Sequence, residues 1–336
     1  MTSNSSVLQI KEANDRPLVS IITPCYNGEH CVSRMLDSVI AQTYRPIEYI
    51  LVNDGSTDAT QTVAMSYKEK FHDAGIQYII IQQKNKGLAG AINAGLKVFS
   101  GDYLCWPDAD DYLEPNSIEE RVNILEENPD YAVVSSDAFV RDSTDLQSYK
   151  KLLSVYFKHL DDPNQFEHHL NGESIFCCGC HMARTSMFLD VHPDREIYPA
   201  RYGQNWQLLL PIYYKYKWKY IDKPLYNYVE TPDSMSRKKL SLTETLNRIN
   251  EKETIIVQTL KKIELVQQAD MSEYIQSTKE KYAKQRLSTA MHEQDSDVFM
   301  KEYEKKKNSV GIDFKDRIYY LCCRYPRIEK VITYFR

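Results

Sequence analysis

The feature of this sequence that most constrains its fold is a regular alternation of short apolar runs with amphipathic segments before Pro129. The run Leu-Val-Ser-Ile-Ile-Thr, which starts at Leu18, is rich in β-branched residues, and a second apolar run covers 47–52. Between them, residues 30–42 place apolar side chains at helical spacing. Strands that alternate with helices over short links are typical of βαβ units, so the sequence predicts a mostly parallel sheet covered on both faces.

The alternation continues and places a polar cluster after each predicted strand. Further strands are predicted at 78–81 and 103–106, and further helices open near Thr57 and Gly90. In an open sheet of this type, ligands bind beyond the carboxyl ends of the strands. We therefore expect four polar clusters to share one edge of the sheet, called the rim below: 24–27, 53–58, 85–87 and 108–111.

Beyond residue 128 the pattern becomes less regular. The sequence predicts a strand at 131–137 and an extended segment at 174–182, followed by an aromatic-rich stretch at 202–229. From Leu242 onward, apolar residues recur at steps of three, four and seven, which indicates amphipathic helices. The predicted organisation is a flexible tail at 1–15, an α/β domain at 16–237 with halves at 16–128 and 129–237, and a helical C-terminal extension at 238–336.

Charge, hydropathy and cysteine content exclude several classes of protein. The formal net charge of −5 argues against a nucleic-acid binder. The sequence has no run of about 18 apolar residues that would span a membrane, and its N-terminus lacks the charged-then-apolar pattern of a signal peptide. Eight cysteines, with no second pair at zinc-site spacing, fit a reducing compartment. We therefore expect a cytoplasmic protein.

Three carboxylates follow the fourth predicted strand, in Trp-Pro-Asp-Ala-Asp-Asp. A polar turn would explain one or two acids, but three neighbouring charges repel one another and are costly to desolvate. Asp108 and Asp110 are two residues apart, so in an extended segment their side chains point the same way. Oxygen ligands with open positions suit Mg2+ or Mn2+ held between protein and substrate phosphates. Asp111 is expected to cap the helix that begins near Pro115.

Four segments, in this order, resemble glycosyltransferase family 2. They are Val19-Ser-Ile-Ile-Thr-Pro-Cys-Tyr-Asn27, Tyr49-Ile-Leu-Val-Asn-Asp-Gly-Ser-Thr-Asp58, Asn85-Lys-Gly-Leu-Ala-Gly-Ala-Ile-Asn-Ala-Gly95 and Trp106-Pro-Asp-Ala-Asp-Asp111. The resemblance covers roughly 100 residues, and four ordered motifs are far more specific than one. It implies a nucleotide-sugar-binding GT-A fold, an α/β architecture with a Rossmann-like central sheet.

The resemblance also implies roles for individual residues. Asp54 matches the acid that hydrogen-bonds the nucleotide base, usually uracil, although an Asp before Gly55 also favours a turn. Asp110 matches the metal ligand, and Asp108 matches the acid near the ribose and the metal. Family members often carry Arg where this chain has Ile92, which leaves the identity of the base open. The residues matched to the nucleotide are Thr23, Pro24, Tyr26, Asn27, Asp54, Asn85, Gly87, Asn93, Asp108 and Arg237.

A general base is also expected, because inverting transfer needs a group that takes the proton of the acceptor hydroxyl. Many family members use the Asp of a Glu-Asp-Trp segment. The matching stretch here is Gly203-Gln-Asn-Trp-Gln207, as in a bacterial subset of the family, and amides cannot take that proton at neutral pH. The predicted catalytic residues are Gln204, Asn205 and Trp206, which would orient the acceptor, and the candidate bases Asp137 and His181, the latter with a buried structural role as its alternative.

The activity that the resemblance implies is sugar transfer from a nucleotide-diphosphate donor, with a UDP-sugar favoured. The acceptor would be a glycan or a lipid-linked molecule in surface polysaccharide or glycolipid assembly. The missing carboxylate at Asn205 leaves a catalytically silent nucleotide-sugar-binding module as the alternative. A nucleotidyltransferase is disfavoured, because Pro24-Cys-Tyr-Asn27 is not a glycine- and arginine-rich loop.

The C-terminal segment 314–336 interleaves six basic residues with aromatic and aliphatic ones. That composition suits a helix lying on an anionic membrane surface, here the inner face of the plasma membrane, interrupted at Pro326. The alternative is a terminal helix that docks on the catalytic α/β domain through its aromatic residues and leaves its charges solvated. The sequence leaves both alternatives open.

Overall fold

The computed structural model describes residues 16–231 and 239–324. The chain divides into two compact units, Met1–Thr231 and Pro232–Arg336. The first unit combines strands and helices, whereas the described part of the second is helical. The division after Thr231 lies close to the domain limit at 237 that was predicted from the sequence.

The first half of the α/β unit alternates strands and helices in the predicted order. Its elements are β1 (Val19–Cys25), α1 (Val32–Ile40), β2 (Ile47–Asn53), α2 (Thr60–Ser66), α3 (Lys68–Asp73), β3 (Gln77–Gln82), α4 (Gly87–Leu96) and β4 (Tyr103–Cys105). The four strands are parallel and lie in the order β3–β2–β1–β4. This arrangement confirms the parallel sheet, and it brings the carboxyl ends of the strands to one edge.

The second half turns the sheet into a mixed one. Its elements are β5 (Tyr112–Leu113), α5 (Ser117–Glu127), β6 (Tyr131–Asp142), β7 (Lys151–Leu152), α6 (Phe166–Asn171), β8 (His181–Arg184), α7 (Thr185–Val191), α8 (Gln204–Lys215) and β9 (Lys217–Glu230). The sheet continues from β4 in the order β8–β6–β9–β5, and β7 pairs with β6. Because β8 is antiparallel to both β4 and β6, those two strands point the same way.

The register across β8 places two acids toward the same edge of the sheet. Leu104 of β4 and Val133 of β6 both pair with Ala183 of β8. Asp108 and Asp137 each lie four residues further along the chain. Both acids therefore lie toward the edge of the sheet at which the carboxyl ends of β4 and β6 meet.

One predicted element is only partly correct. The stretch 174–182 was expected to be extended, but the strand begins at His181 and the preceding Cys178–Cys180 forms a 3-10 turn. The cause is packing: the ring of Tyr226 lies so close to Gly179 that a Cβ there would be 2.0 Å from it. The chain turns around this ring instead of continuing as a strand.

The described part of the second unit, 239–324, contains four consecutive helices, α9 (Leu242–Gln267), α10 (Ser272–His292), α11 (Ser296–Ser309) and α12 (Phe314–Arg324). Ser241 and Glu244 form a capping box that starts α9. Lys306 Nζ donates to Asp316 Oδ2 at 2.5 Å, and both side chains are buried. This ion pair ties α11 to α12.

Helix α12 covers only the beginning of the basic and aromatic segment at the C-terminus. Tyr319 and Tyr320 pack against the core formed by α10 and α11, within the second unit, while Phe314 and Leu321 are exposed. Residues 325–336 lie outside the described residues. In the part of the chain that the structure describes, no helix is long and apolar enough to cross a membrane.

Candidate functional site

The carboxylates of Asp108, Asp110 and Asp111 lie together just beyond β4, and one oxygen of each lies within 4.8 Å of the others. Ala109 and Asp110 form a turn, so a turn brings the acids together, and the extended geometry predicted for this segment is wrong. The strand is only three residues long and ends before the first acid. Asp108 and Asp110 remain partly exposed, whereas Asp111 is 1% exposed.

Crowding and burial make this acid cluster unfavourable without a partner. Burial, reinforced by the charge of Asp110, raises the pKa of Asp108 to about 7, although the Cys178 thiol donates a hydrogen bond to its carboxylate. Burial also raises the pKa of Asp110 and holds that of Asp111 well above its usual range. A divalent cation between the carboxylates would offset their mutual repulsion, so the cluster fits a metal site.

Asp111 does not cap a helix, contrary to the prediction from the sequence. Helix α5 begins at Ser117, and no side chain caps it. The carboxylate of Asp111 instead accepts hydrogen bonds from Tyr226 Oη at 2.9 Å and from the Val229 amide at 2.7 Å. Asp111 therefore anchors the acidic turn to β9, which leaves Asp108 and Asp110 as the carboxylates that can meet a cation.

Asp54 lies directly after β2 and is 3% exposed. Its Oδ1 accepts hydrogen bonds from Gln83 Nε2 at 2.6 Å and from the Lys86 amide at 2.9 Å. The turn that Asp54 was expected to stabilise is held by its neighbour, because Asn53 Oδ1 accepts from the Ser56 amide at 2.9 Å. Asp54 thus joins the second and third polar clusters of the rim.

The first rim cluster combines buried and exposed residues. Thr23 and Pro24 are buried in β1, whereas the ring of Tyr26 is 53% exposed. Asn27 takes a left-handed backbone, which Asn tolerates well, and its Oδ1 accepts from the Thr57 amide at 2.9 Å. Asn27 therefore fixes the neighbouring loop, and Tyr26 is the residue of this cluster whose ring can cover a ligand.

The third cluster separates into rim residues and a support. Asn85 is exposed, and Gly87 starts α4 with a φ of 75° that favours glycine. Asn93 lies further along α4, and its side-chain amide makes two hydrogen bonds with the backbone of Ile197. Nδ2 donates to the Ile197 carbonyl at 2.9 Å, and Oδ1 accepts from the Ile197 amide at 2.8 Å. Asn93 therefore holds the segment before α8, beneath the rim.

Asn205 connects the acidic turn to the second half of the unit. Its Oδ1 accepts from Trp106 Nε1 at 2.9 Å, and its Nδ2 donates to the Phe176 carbonyl at 2.6 Å. The side chain is 4% exposed. Because both ends of the amide are used internally, Asn205 positions Trp106, which precedes Asp108 by two residues.

The neighbours of Asn205 in the predicted catalytic segment are held in a similar way. Gln204 is the first residue of α8 and is 9% exposed. Trp206 Nε1 donates to the His169 carbonyl at 3.3 Å, and its ring meets that of Phe176 with centroids 4.5 Å apart. The structure brings the three residues together at the start of α8, behind the acidic turn.

His181 lies inside the unit, at the start of β8. It is fully buried, its Nδ1 lies 2.6 Å from Ser135 Oγ, and its ring stacks near Trp106 with centroids 6.1 Å apart. Burial, aided by the charge of Arg121, holds the pKa of His181 well below its usual range. These surroundings match the structural alternative that was weighed for this residue.

Asp137 lies in β6, at a bulge where the pairing with β9 shifts. It is fully buried, and its Oδ1 accepts from the Ser154 amide at 2.9 Å and from the amide of the next residue. Its Oδ2 lacks a hydrogen-bond partner in the structure. A buried carboxylate oxygen without a partner is costly. His181 Nε2 lacks a partner as well, so each of the two candidate bases has one unused polar atom.

Several contacts of the site were not expected from the sequence. Cys178 contacts Asp108, and its only signal in the sequence is its place in the cluster Cys177, Cys178 and Cys180. Gln83, the partner of Asp54, was signalled by its position directly after β3. Nothing local pointed to Tyr226 or to Arg34, whose guanidinium donates to the Asp110 carbonyl. Arg237, predicted near the diphosphate, lies outside the described residues.

Relatives of known sequence share parts of this chain. It is 29% identical to the glycosyltransferase GlyA of Streptococcus pneumoniae over 232 residues, 65% of this chain and 31% of GlyA. It is 43% identical to an uncharacterized glycosyltransferase of Rickettsia typhi over 116 residues, 34% of each chain. The chain thus spans about a third of the length of these curated relatives.

Solved structures share the fold. TarS 1–349 of Staphylococcus aureus, solved with UDP-GlcNAc, aligns with a TM-score of 0.54 at 15% identity, covering 91% of this chain and 79% of the other. The mannosyltransferase PcManGT of Pyrobaculum calidifontis, solved with GDP-Man and Mn2+, aligns with a TM-score of 0.51 at 14% identity, covering 93% and 86%. The profile of glycosyl transferase family 2 matches residues 20–191, just over half of the chain. The chain therefore belongs to glycosyl transferase family 2 and has the GT-A fold.

Proposed function

We propose that this protein transfers a sugar from a nucleotide-diphosphate donor, a UDP-sugar, to a glycan or lipid-linked acceptor, with inversion at the anomeric carbon. The observation that carries the proposal is the acidic cluster beyond β4, which shares its rim with Asp54 after β2. These two features support a site for a metal and a diphosphate beside a site for a nucleotide base. Membership of the family and the nucleotide-sugar complexes of the structural relatives support the same activity.

Asp108 and Asp110 are the residues that would hold Mg2+ or Mn2+. The bound cation would neutralise the diphosphate as negative charge develops on it during transfer. Asp111, through Tyr226 and Val229, keeps the acidic turn in place. Asn205 acts on the same turn through the Trp106 indole, so we propose that it orients the donor side of the site from behind, together with Gln204 and Trp206.

For the base, we favour Asp137 over His181. Asp137 and Asp108 both lie beyond the paired parts of strands that point the same way, toward one edge of the sheet. Both candidate bases are fully buried, and Asp137 Oδ2 and His181 Nε2 each lack a hydrogen-bond partner among the described residues. Burial holds the pKa of His181 well below its usual range, which makes its imidazole a weak base. A carboxylate in this position can take the proton of an acceptor hydroxyl.

The proposal is tested by incubating the protein with UDP- and GDP-sugars, with and without Mn2+, and measuring both hydrolysis and transfer. We expect metal-dependent release of UDP and, with a suitable acceptor, a product of inverted anomeric configuration by NMR. Asp137→Asn should reduce turnover much more than donor affinity. Turnover without added metal in the presence of chelator, or an Asp137→Asn protein with wild-type turnover, would contradict the corresponding part of the proposal.

A second candidate function is a catalytically silent nucleotide-sugar-binding module. The specific observation in its favour is that Asn205 stands where a carboxylate is usual and has its amide engaged at both ends. Such a module would bind a UDP-sugar in a metal-dependent way, yet it would release no UDP on prolonged incubation. The same assay therefore separates the two functions.

We propose that the protein acts at the cytoplasmic face of the plasma membrane, in surface polysaccharide or glycolipid assembly, and that its C-terminus makes the membrane contact. The basic residues of 314–336 and the exposed Phe314 and Leu321 support this location. The test is co-sedimentation with anionic vesicles, comparing the full chain with one that ends at Asp313 and so lacks Phe314, Leu321 and the six basic residues of 314–336. Equal amounts of both proteins in the supernatant at low salt would contradict the contact.

A further inference from the structure

We propose a second metal site, away from the rim. It is formed by His168 of α6, by His159 on the segment before this helix and by Glu173 on the segment after it. One donor atom from each of the three residues lies within 4.8 Å of the others. Two imidazole nitrogens and a carboxylate form a donor set suited to Zn2+. The acidic turn, in contrast, offers carboxylate oxygens, which suit Mg2+ or Mn2+. The proposal does not depend on the transfer reaction.

The ring of His168 is oriented in the way that a metal ligand requires. Its Nε2 lies 3.1 Å from Asp162 Oδ2, and its Nδ1 lies 3.6 Å from Glu173 Oε2. In a neutral imidazole one nitrogen carries the proton and the other a lone pair. If Nε2–H donates to Asp162, the lone pair of Nδ1 faces an oxygen that also lacks a proton. A cation between Nδ1 and Glu173 satisfies both groups, and Asp162 becomes the carboxylate that orients the ligand from behind.

His159 brings a second imidazole to the same point. Its ring stacks on that of His168, with centroids 4.2 Å apart and planes inclined by 8°. The backbone at His159 has a φ of 60°, a left-handed conformation that is uncommon for this residue type. Its carbonyl accepts from Gln165 Nε2 at 2.8 Å, and Gln165 is fully buried. The turn is therefore fixed in the conformation that directs His159 toward His168.

Glu173 is returned to the cluster by the end of α6. Gly172 has a φ of 79° and terminates the helix, and the Glu173 amide donates to the His168 carbonyl at 2.8 Å. The chain thus folds back, so that the carboxylate reaches the ring on its own helix. A cation would account for the position of all three side chains, including that of His159.

Closing the site requires only side-chain movement. Ligands of a tetrahedral Zn2+ at about 2.1 Å lie roughly 3.4 Å from one another, and the donor atoms here lie within 4.8 Å of one another. The His159 and His168 rings are nearly parallel, so their in-plane lone pairs do not meet at one point, and His159 must turn out of the stack to share an ion with His168. His159 and Glu173 are exposed, which leaves room for this rotation. A bound ion would also brace the segment that carries Leu160, Asp161 and Pro163, which line a cavity of about 620 Å³ together with Trp218 and Tyr220.

The test uses Co2+ alone as a spectroscopic substitute for Zn2+, added to the full, metal-free chain. A site with two imidazoles and low coordination number gives strong visible absorption, whereas an octahedral oxygen site gives weak bands. We expect the strong bands in the wild-type protein and their loss in His168→Gln and in His159→Gln. Asp162→Asn should weaken the affinity for Co2+ by about tenfold or more, as loss of an outer hydrogen bond does.

Two controls make this outcome specific. Asp110→Asn should leave the strong bands unchanged, because that residue belongs to the rim. His72→Gln should also leave them unchanged, since His72 is an exposed histidine beside a single carboxylate, Asp73. A wild-type protein without strong bands, or bands that persist in His159→Gln, would overturn the proposal. His159 is exposed, so its substitution tests the site even if His168→Gln fails to fold.

Discussion

The two halves of the α/β unit hold their polar residues in different ways. In the first half, contacts join one loop to the next: the Thr57 amide reaches Asn27 over 30 residues, and the Lys86 amide reaches Asp54 over 32. The contacts of the second half join residues that are far apart in the chain. Trp106 donates to Asn205 across 99 residues, and Tyr226 donates to Asp111 across 115.

This difference follows from the topology of the sheet. Successive βα units place each loop beside the previous one, so the spacing of the motifs in the sequence already determines which loops meet. Beyond β4, three of the four pairings along the sheet are antiparallel, and the partners of these strands are set by packing across the whole sheet. The loop contacts of the first half can therefore be predicted from its motifs. The second half acts as a scaffold that holds the acidic turn from behind.

The sharpest test of the rim is Asp110→Asn, which should have the largest effect. Removing one of two reachable ligands should lower metal-dependent transfer by about 10³-fold, on the order of 4 kcal/mol of barrier. Thermal stability should change little, because the carboxylate is partly exposed. An assay of sugar transfer measures the loss of activity, and calorimetric titration with UDP, with and without Mn2+, measures the accompanying loss of metal-linked UDP affinity. Asp130→Asn, in an exposed turn before β6, is the matched control, and unchanged metal-linked UDP affinity in Asp110→Asn would argue against the assignment.

Arg121→Met tests the scaffold, and the expected effect is on stability. The guanidinium is fully buried and donates to the carbonyls of Gly179 and His181 and to Ser117 Oγ. Removing it leaves buried acceptors without donors, which should cost about 3–5 kcal/mol of unfolding free energy. Urea denaturation gives the value.

The control for Arg121→Met is Arg16→Met, which removes a partly exposed ion pair with Glu119 and should cost less than about 1 kcal/mol. If both substitutions cost the same, Arg121 would not be a support of the turn at Cys178–Cys180. The scaffold would then depend on other contacts.

The sequence predicted the first half well because its information is local. The strands, the parallel pairing and the four polar clusters at one edge all follow from hydrophobic periodicity and from turn residues. Even there, the detail at Asp54 differed: the turn belongs to Asn53, and Asp54 reaches the next loop. Which of two adjacent polar residues stabilises a turn depends on what lies opposite, and the sequence does not contain that information.

The second half could be predicted only as far as its motif. The segment from Gly203 to Gln207 was identified, yet its residues were expected to face the acceptor. Instead, the Asn205 amide accepts a hydrogen bond from the Trp106 indole and donates one to the Phe176 carbonyl. Similarly, Asp111 was assigned to the nearest helix in the sequence, whereas its partners lie on β9. Both differences have the same cause: a buried polar group takes whichever partner the distant packing supplies.

Asn205→Asp tests how tightly the second half encloses this position. The substitution restores the acid that many family members carry there. A carboxylate has no proton to donate to the Phe176 carbonyl, so two oxygens would face one another at 2.6 Å. We expect a loss of about 2–3 kcal/mol at pH 8. A protonated Asp can donate, so the pKa of the new carboxyl should be higher in the folded protein than in the unfolded chain.

The stability deficit of Asn205→Asp should therefore shrink as the pH falls from 8 to 5. Thermal unfolding of the mutant and wild-type proteins across this range gives the difference. Asn205→Ala, which cannot ionise, is the control and should show a deficit that does not vary with pH. A pH-independent deficit in Asn205→Asp would mean that the residue is not enclosed as described. A gain in turnover would instead show that the position can serve as a base.

The smallest expected effect concerns the pH dependence of metal binding at the rim. Burial and the charge of Asp110 raise the pKa of Asp108 to about 7 in the metal-free protein, above its ordinary value. The folded protein therefore retains a proton that the unfolded chain has lost between these two values, so the contribution of Asp108 to stability is lost as the pH rises through 7. A cation must displace the same proton, which makes binding weaker below pH 7. We expect Mn2+ to raise the unfolding midpoint by more at pH 8 than at pH 6.

In Asp108→Asn the proton competition is absent, and the remaining effect of Mn2+ should be small and nearly equal at both pH values. If Mn2+ stabilised the wild-type protein equally at pH 6 and pH 8, the carboxylates would be ionised before the metal arrives. The crowding at the end of β4 would then be relieved by groups of the protein itself, and the rim would resemble the second half of the unit, where polar groups are satisfied from within.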